Sequence, residues 1–130
     1  MSDLPFKINI TPGSPAYEQV IQAVHRALAS GILKPNEAFP SVRALSKAVR
    51  INPNTAHKVI QHLVNEGTLV VIPGRGTQIA DTETLPLNLR LNQIREHLDH
   101  LAIEASRLGF SEKELLSALK DTWKTIQKNS

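Results

Sequence analysis

Apolar residues recur at helical spacing along most of the chain. Tyr17, Val20, Ile21, Val24 and Leu28 fall three or four positions apart and predict an amphipathic helix ending near Ser30. Ser14 reads as its N-cap, Pro15 as its first helical residue and Gly31 as a left-handed stop. A shorter stripe, Val42, Leu45 and Val49, follows a Ser41 cap and predicts a second helix to Val49. Asn52-Pro53 repeats the cap-and-proline signature, and Ala56, Val59, Ile60 and Leu63 predict a third helix, ended by Gly67. The period then changes. Leu69-Val70-Val71-Ile72 and Thr77-Gln78-Ile79-Ala80 are β-prone runs around Pro73-Gly74-Arg75-Gly76, which predicts a hairpin. Residues 31–40, with Gly31, Pro35, Asn36 and Pro40, read as a loop, and Phe6, Ile8 and Ile10 alternate as an extended arm before Thr11-Pro12-Gly13.

Beyond a hinge at residues 81–86 the pattern lengthens. Leu87, Leu91, Ile94, Leu98, Leu101, Ala105 and Leu108 are spaced 4, 3, 4, 3, 4, 3, the a/d repeat of a long helix that Gly109 ends. Leu89 and Ile103 lie off this seam, so a second surface of the same helix is expected to pack. Ser111 and Glu114 form a capping box for a last helix with the apolar face Leu115, Leu116, Leu119, Trp123 and Ile126. Phe110 and Trp123 read as core residues in preference to a ligand cage. One shorter helix covers only part of such a seam. A homodimer through Leu91, Ile94, Leu98, Leu101, Ala105 and Leu108 is therefore expected, the rival being a monomer whose tail folds back. The fold class is mostly α with one small β-hairpin. The domain organisation is residues 1–80 followed by a helical tail over 81–130.

Composition narrows the function. With 130 residues, 41% of them hydrophobic, the chain builds one real core. It has no cysteine, which excludes disulfides, a thiolate zinc site and a cysteine nucleophile. Met1-Ser2-Asp3-Leu4-Pro5 carries no basic stretch leading into an apolar run, and no window nears ~18 apolar residues, so a soluble cytoplasmic protein without membrane contact is expected. Net charge is +3, unevenly spread: residues 1–80 hold eight Lys/Arg against four Asp/Glu, and residues 81–130 hold seven against eight. Between Glu37 and Glu66 there is no acid, while Arg43, Lys47, Arg50 and Lys58 fall there with His57 and His62. A phosphate-rich partner suits this segment, and a merely solvated basic face is the alternative.

Catalysis finds no support, since no nucleophile, base and orienting group converge; neither enzyme activity nor a cofactor is expected. Gly74-Arg75-Gly76 lacks the rest of any nucleotide-binding fingerprint. His97, His100 and Glu104 read as solvated positions beside the seam, with a metal site as the minor alternative.

Two helices joined by a tight turn, Ser41–Val49 and Asn52 to about Asn65, suit an arrangement in which the second lays its first turn in a major groove. The exposed residues expected there are Asn54, Thr55, His57 and Lys58. Asn pairs with the adenine edge, Thr touches a base or the thymine methyl, and Lys reaches guanine or phosphate. The hairpin puts Arg75 on a tip thin enough for a minor groove. An ordinary helical hairpin and a plain tight turn are the bland readings of the same residues.

Taken in order and spacing, Gly31-Ile32-Leu33-Lys34-Pro35, Phe39-Pro40-Ser41-Val42-Arg43-Ala44-Leu45, Asn52-Pro53-Asn54-Thr55 and Gly74-Arg75-Gly76-Thr77 resemble the GntR-type winged helix-turn-helix repressors. The two-helix tail resembles that of their small YtrA-like subgroup. The resemblance implies a dimeric bacterial transcription regulator, often a repressor whose genes neighbour transport operons. It implies contact with double-stranded DNA through Ser41 and Arg43 on the second helix, through Asn52, Asn54, Thr55, His57 and Lys58 on the recognition turn, and through Arg75 and Gly76 at the wing tip. Three positions depart from the pattern. Asn36 replaces a glycine, Arg50 stands where a turn glycine is usual and adds a cation near DNA, and Gln78 replaces an aromatic, leaving the wing less firmly packed. A tail of about 45 residues encloses no ligand pocket alone, since pockets need ~300 Å³ or more, so any small-molecule effector would bind between protomers or domains. The rival functions are a winged-helix protein-interaction module and a non-specific architectural DNA binder; the acid-free segment and the modest net charge count against them in turn.

Overall fold

The first helix, α1 (Ala16–Ala29), buries Val20, Ile21, Val24 and Ala27, with Tyr17 and Leu28 at the edge of the same face. The structure, a computed structural model, describes residues 4–128; the leader reading of Met1, Ser2 and Asp3 lies outside them. The start of α1 falls one residue later than expected. Pro15 occupies the cap position and no side chain caps the helix. Gln19 reaches back instead, its amide Nε2 donating to the Thr11 and Ser14 carbonyls at 2.7 and 2.8 Å. Proline has no N–H to satisfy, and the Gln19 bonds tie down the preceding turn.

Helix α2 (Val42–Val49) begins at Ser41, whose hydroxyl accepts from the Ala44 N–H at 3.1 Å. Helix α3 (Pro53–Asn65) begins at Asn52, whose Oδ1 accepts from the Asn54 N–H at 2.8 Å, with Pro53 in the first turn. Leu45 of α2 and Ala56, Val59 and Leu63 of α3 complete the helical core against α1. Each large apolar side chain buried this way contributes about 1.5–3 kcal/mol relative to exposure, which fixes the angle at which α3 is presented.

Strands β1 (Leu69–Ile72) and β2 (Gly76–Ile79) form the expected antiparallel hairpin, β2 starting one residue early because Gly76 pairs with Ile72. Leu69 and Ile79 face each other in the core; two residues outward the same face carries Val71 and Thr77, and Val71 is exposed because the wing extends beyond the core. Residues 31–40 are not wholly a loop. Asn36 N–H donates to the Ile79 carbonyl, Ile79 N–H to Glu37 and Phe39 N–H to Thr77, each at 2.8 Å, with an Ala38–Gln78 bridge. Strand β2 is thus paired on both edges, so backbone bonds hold the wing at the half-buried Gln78. Phe39 from this segment stacks on Phe6 of the arm at 6.0 Å, and both are buried.

The chain divides into two units, one ending at Asp81 and the other beginning at Thr82 with a short 3₁₀ turn, Thr82–Thr84. The second unit holds α4 (Leu87–Arg107) and α5 (Glu112–Lys128), separated by Gly109 at φ +84°. Ser111 and Glu114 cap α5 reciprocally, at 3.1 Å for Glu114 N–H to the Ser111 hydroxyl and 2.9 Å for Ser111 N–H to the Glu114 carboxylate. These bonds hold the Glu114 carboxyl below its usual range. Among the described residues of this unit only Ala105 is buried, with Leu91, Leu115 and Ile126 half-buried. Three expectations are corrected here. Phe110 and Trp123 are not core residues, Trp123 being 63% exposed, and among the described residues Leu89 and Ile103 lie exposed instead of packed. Among the described residues of these two helices, Ile94, Leu98, Leu101, Leu119 and Trp123 are exposed as well.

Candidate nucleic-acid interface

The turn between α2 and α3 is built around Ser46. Its carbonyl accepts from the N–H groups of Arg50 and Ile51, the latter at 3.2 Å, and its hydroxyl donates to the Ile51 carbonyl at 2.7 Å. Closing the chain this tightly puts Arg50 in the left-handed region, φ 59° and ψ 49°. Ile51 is half-buried against the core, and the Asn52 cap then launches α3. Neither the spacing nor the composition singled out Ser46; its signal was only a small hydroxyl residue four before the turn.

Helix α3 presents a polar stripe opposite its core face. Asn54, His57 and Lys58 are exposed, as expected, but Thr55 is half-buried, because one residue beyond Asn54 the helix has already turned toward the core. Gln61 and Asn65 continue the stripe at seven and eleven residues from Asn54, joined by a Gln61 Nε2 to Asn65 Oδ1 hydrogen bond at 3.2 Å. Both are polar and at the right spacing, so the helical repeat was sufficient to find them. Ser41 and Asn52 are exposed and spend a side-chain oxygen on their caps.

Cations surround this stripe. Arg43, Lys47, Arg50, Lys58 and Arg75 are all exposed, and among the described residues none takes part in an ion pair. Arg75 sits on the wing turn, where its N–H donates to the Ile72 carbonyl at 2.9 Å. Pro73 at the second position and Gly74 at φ +79° at the third match a type II turn, and Gly76 follows at φ +84°. A side chain at Gly74 would be strained by the backbone itself, so the tip stays narrow.

The other end of α3 carries a cluster the sequence reading missed. Glu66 caps α3 and lies 2.5 Å from His25 Nε2 of α1 and 3.1 Å from His62 Nε2, while the Thr68 hydroxyl donates to it. Burial alone would raise the Glu66 carboxyl, but Thr68, His25 and His62 together hold it below its usual value. Tyr17 meets His62 edge-on at 5.9 Å. His25 and Glu66 are 41 residues apart, which is why no local pattern revealed the pair.

On α4, Ile94, Leu98, Leu101 and Leu108 of the predicted seam are exposed, Leu91 is half-buried and Ala105 is covered within the chain. His100 lies 3.9 Å from Glu96, both exposed. No helix among the described residues is long and apolar enough to cross a membrane.

Known proteins match this architecture at both levels. The model of the gntR family of bacterial regulatory proteins matches residues 16–79. The HTH-type transcriptional repressor YtrA of Bacillus subtilis (strain 168) is 36% identical over 117 residues, 88% of this chain and 90% of that protein. A Listeria monocytogenes EGD-e protein described as a transcriptional antiterminator has a crystal structure that superposes with a TM-score of 0.73 at 28% identity, over 94% of this chain and 92% of the other. YtrA from Sulfolobus acidocaldarius, a GntR-family transcription factor, gives 0.61 at 25% identity over 95% and 99%. With a winged helix-turn-helix whose caps, turn and wing tip are all in place, the chain belongs to the GntR family of bacterial regulatory proteins and is a sequence-specific DNA-binding transcription regulator.

Proposed function

We propose that this regulator is a repressor that occupies a two-fold operator as a homodimer. Residues 1–80 bind the DNA and residues 81–130 join the protomers. Asn54, with Thr55 beside it, reads base edges from the first turn of α3. Arg43, Lys58 and Arg75 hold phosphates or the minor groove, Ser41, Asn52 and His57 position the helix, and Gly76 lets the wing approach closely. The dimer forms through Leu91, Ile94, Leu98, Leu101 and Leu108 of α4, with Ala105 setting the close approach of the helices. Repression follows from occupancy, without catalysis, in the cytoplasm where the DNA lies; the regulated genes serve transport, and a small-molecule effector would act by changing the spacing of the two half-site readers.

The observation that carries this reading is the row of cations, without an ion pair among the described residues, flanking the exposed polar stripe of α3, all but Arg75 in a segment with no carboxylate between Glu37 and Glu66. Phosphates are the partner such a surface lacks. Selection of bound sequences from a random DNA pool tests it. An enriched inverted repeat, with half-sites about one helical turn apart, is the expected result. Recovery of DNA without sequence preference, or of none, overturns it.

A further inference from the structure

Arg50 holds a backbone conformation that costs its side chain something. Among the described residues only Asn36 and Arg50 have positive φ without being glycine, at 71° and 59°. Asparagine tolerates this region through its short polar side chain; a long side chain gains nothing there. The bonds that define the turn run from the Arg50 and Ile51 N–H groups to Ser46 and from the Ser46 hydroxyl to Ile51, and glycine would make every one of them. The guanidinium is exposed and has no ion pair among the described residues. The turn therefore has no use for this side chain, which points to a partner outside the chain.

Its place shows which partner. Arg43, Lys47 and Arg50 follow at four and three residues, all exposed, on the side of α2 away from the buried Leu45. At 1.5 Å per residue they span about 10 Å, the length over which one strand of B-DNA presents about three phosphates. Of these three, only Arg43 is given a DNA contact in the reading above. We propose that Lys47 and Arg50 extend the DNA contact along α2, holding successive phosphates of one strand and so fixing the register in which α3 enters the groove. This rests on the chain being an operator-binding regulator.

Binding of the full-length protein to a fragment carrying the selected inverted repeat, titrated between about 50 and 200 mM salt, tests the inference, with thermal melting of each variant alongside. Arg50→Gly is expected to weaken binding about tenfold near 0.1 M salt and to flatten the slope of log K against log salt by about 0.9 for each protomer bound. The same substitution is expected to raise the melting midpoint by a few degrees, because it relieves the left-handed strain. Lys47→Ala should flatten the slope equally without the gain in melting. Arg50→Lys should keep the parent slope, and Lys113→Ala on α5, which removes the same charge, should leave it unchanged. Opposite signs on stability and affinity separate a DNA contact from a structural part. If Arg50→Gly binds with the parent slope and affinity while Arg43→Ala weakens binding, the inference is wrong and the regulator reading stands. If Arg50→Gly lowers both melting and affinity, the side chain is structural and the inference is again wrong. If the parent binds no DNA, the reading beneath it fails, and this inference with it.

Discussion

Glu66 shows how much one residue gathers once the chain is folded. Its carboxylate receives His25 from α1, His62 from its own helix and Thr68 from the start of the wing, and so ties three elements at the base of α3. Because those partners outweigh burial, the folded carboxyl ionises more readily than in the unfolded chain. The unfolded state then binds more protons as acid is added, so the contribution is full above the ordinary carboxylate value of 4.5 and is lost as pH falls below it. Replacing Glu66 by Gln should lower stability at neutral pH by about 1.5–3 kcal/mol, the scale of hydrogen bonds to a charged group. It should also flatten the acid limb of the stability curve. Thermal melts of both proteins from pH 7 to pH 3 check this; curves that run parallel across the acid range would show that Glu66 contributes nothing through its charge.

At the scale of the element, α3 is delivered as a unit by two caps and one turn. Ser41 and Asn52 fix the starts of α2 and α3, Ser46 closes the turn between them, and Leu45, Val59 and Leu63 anchor both helices to α1. The exposed stripe is thereby held in a fixed orientation relative to the core. Asn54 is its first side chain, and its N–H, not its amide group, serves the Asn52 cap. Asn54→Ala therefore leaves the helix start intact while removing the base reader proposed above. It should cost about 1–3 kcal/mol on the preferred operator and much less on random DNA. Competition titrations with the two DNAs measure the difference; equal losses on both would make Asn54 a positioning residue. Strand β2 is an element of the same kind, paired on both edges, so that Arg75 stands on a hairpin held by backbone bonds.

At the scale of the molecule the two units differ in what they can bury. The first holds every buried residue of the main core, while the second leaves Ile94, Leu98, Leu101, Leu119 and Trp123 exposed on its helices. In the dimer proposed above, the α4 side chains among these are part of the contact between protomers. A chain ending near Thr82 should be a folded monomer that binds one half-site, with the full operator held ~10²–10⁴-fold less tightly because the effective concentration supplied by the second protomer is gone. Replacing Leu98 and Leu101 by Glu should have the same consequence in the full chain, by setting carboxylates in the seam. Sedimentation at micromolar concentration decides: a monomeric parent, or a truncated chain that holds the full operator as tightly, would rule out the tail as the dimer contact.

Where the determining interaction lies within one or two turns of chain, the sequence alone was sufficient. The caps at Ser41, Asn52 and Ser111, the stop at Gly109, the buried stripes of α1, α2 and α3 and the hairpin around Gly74 all follow from neighbours at most a few residues apart. Of the candidate interface, Arg43, Asn54, His57, Lys58 and Arg75 were legible as exposed polar residues for the same reason. Tertiary structure decided what depends on contacts between distant segments. It paired residues 36–39 with β2, brought His25 to Glu66 and left Phe110 and Trp123 uncovered. Hydrophobic periodicity states which face of a helix must be buried, but the partner that buries it is set by the packing of the whole chain, and for α4 and α5 the chain itself supplies too little surface.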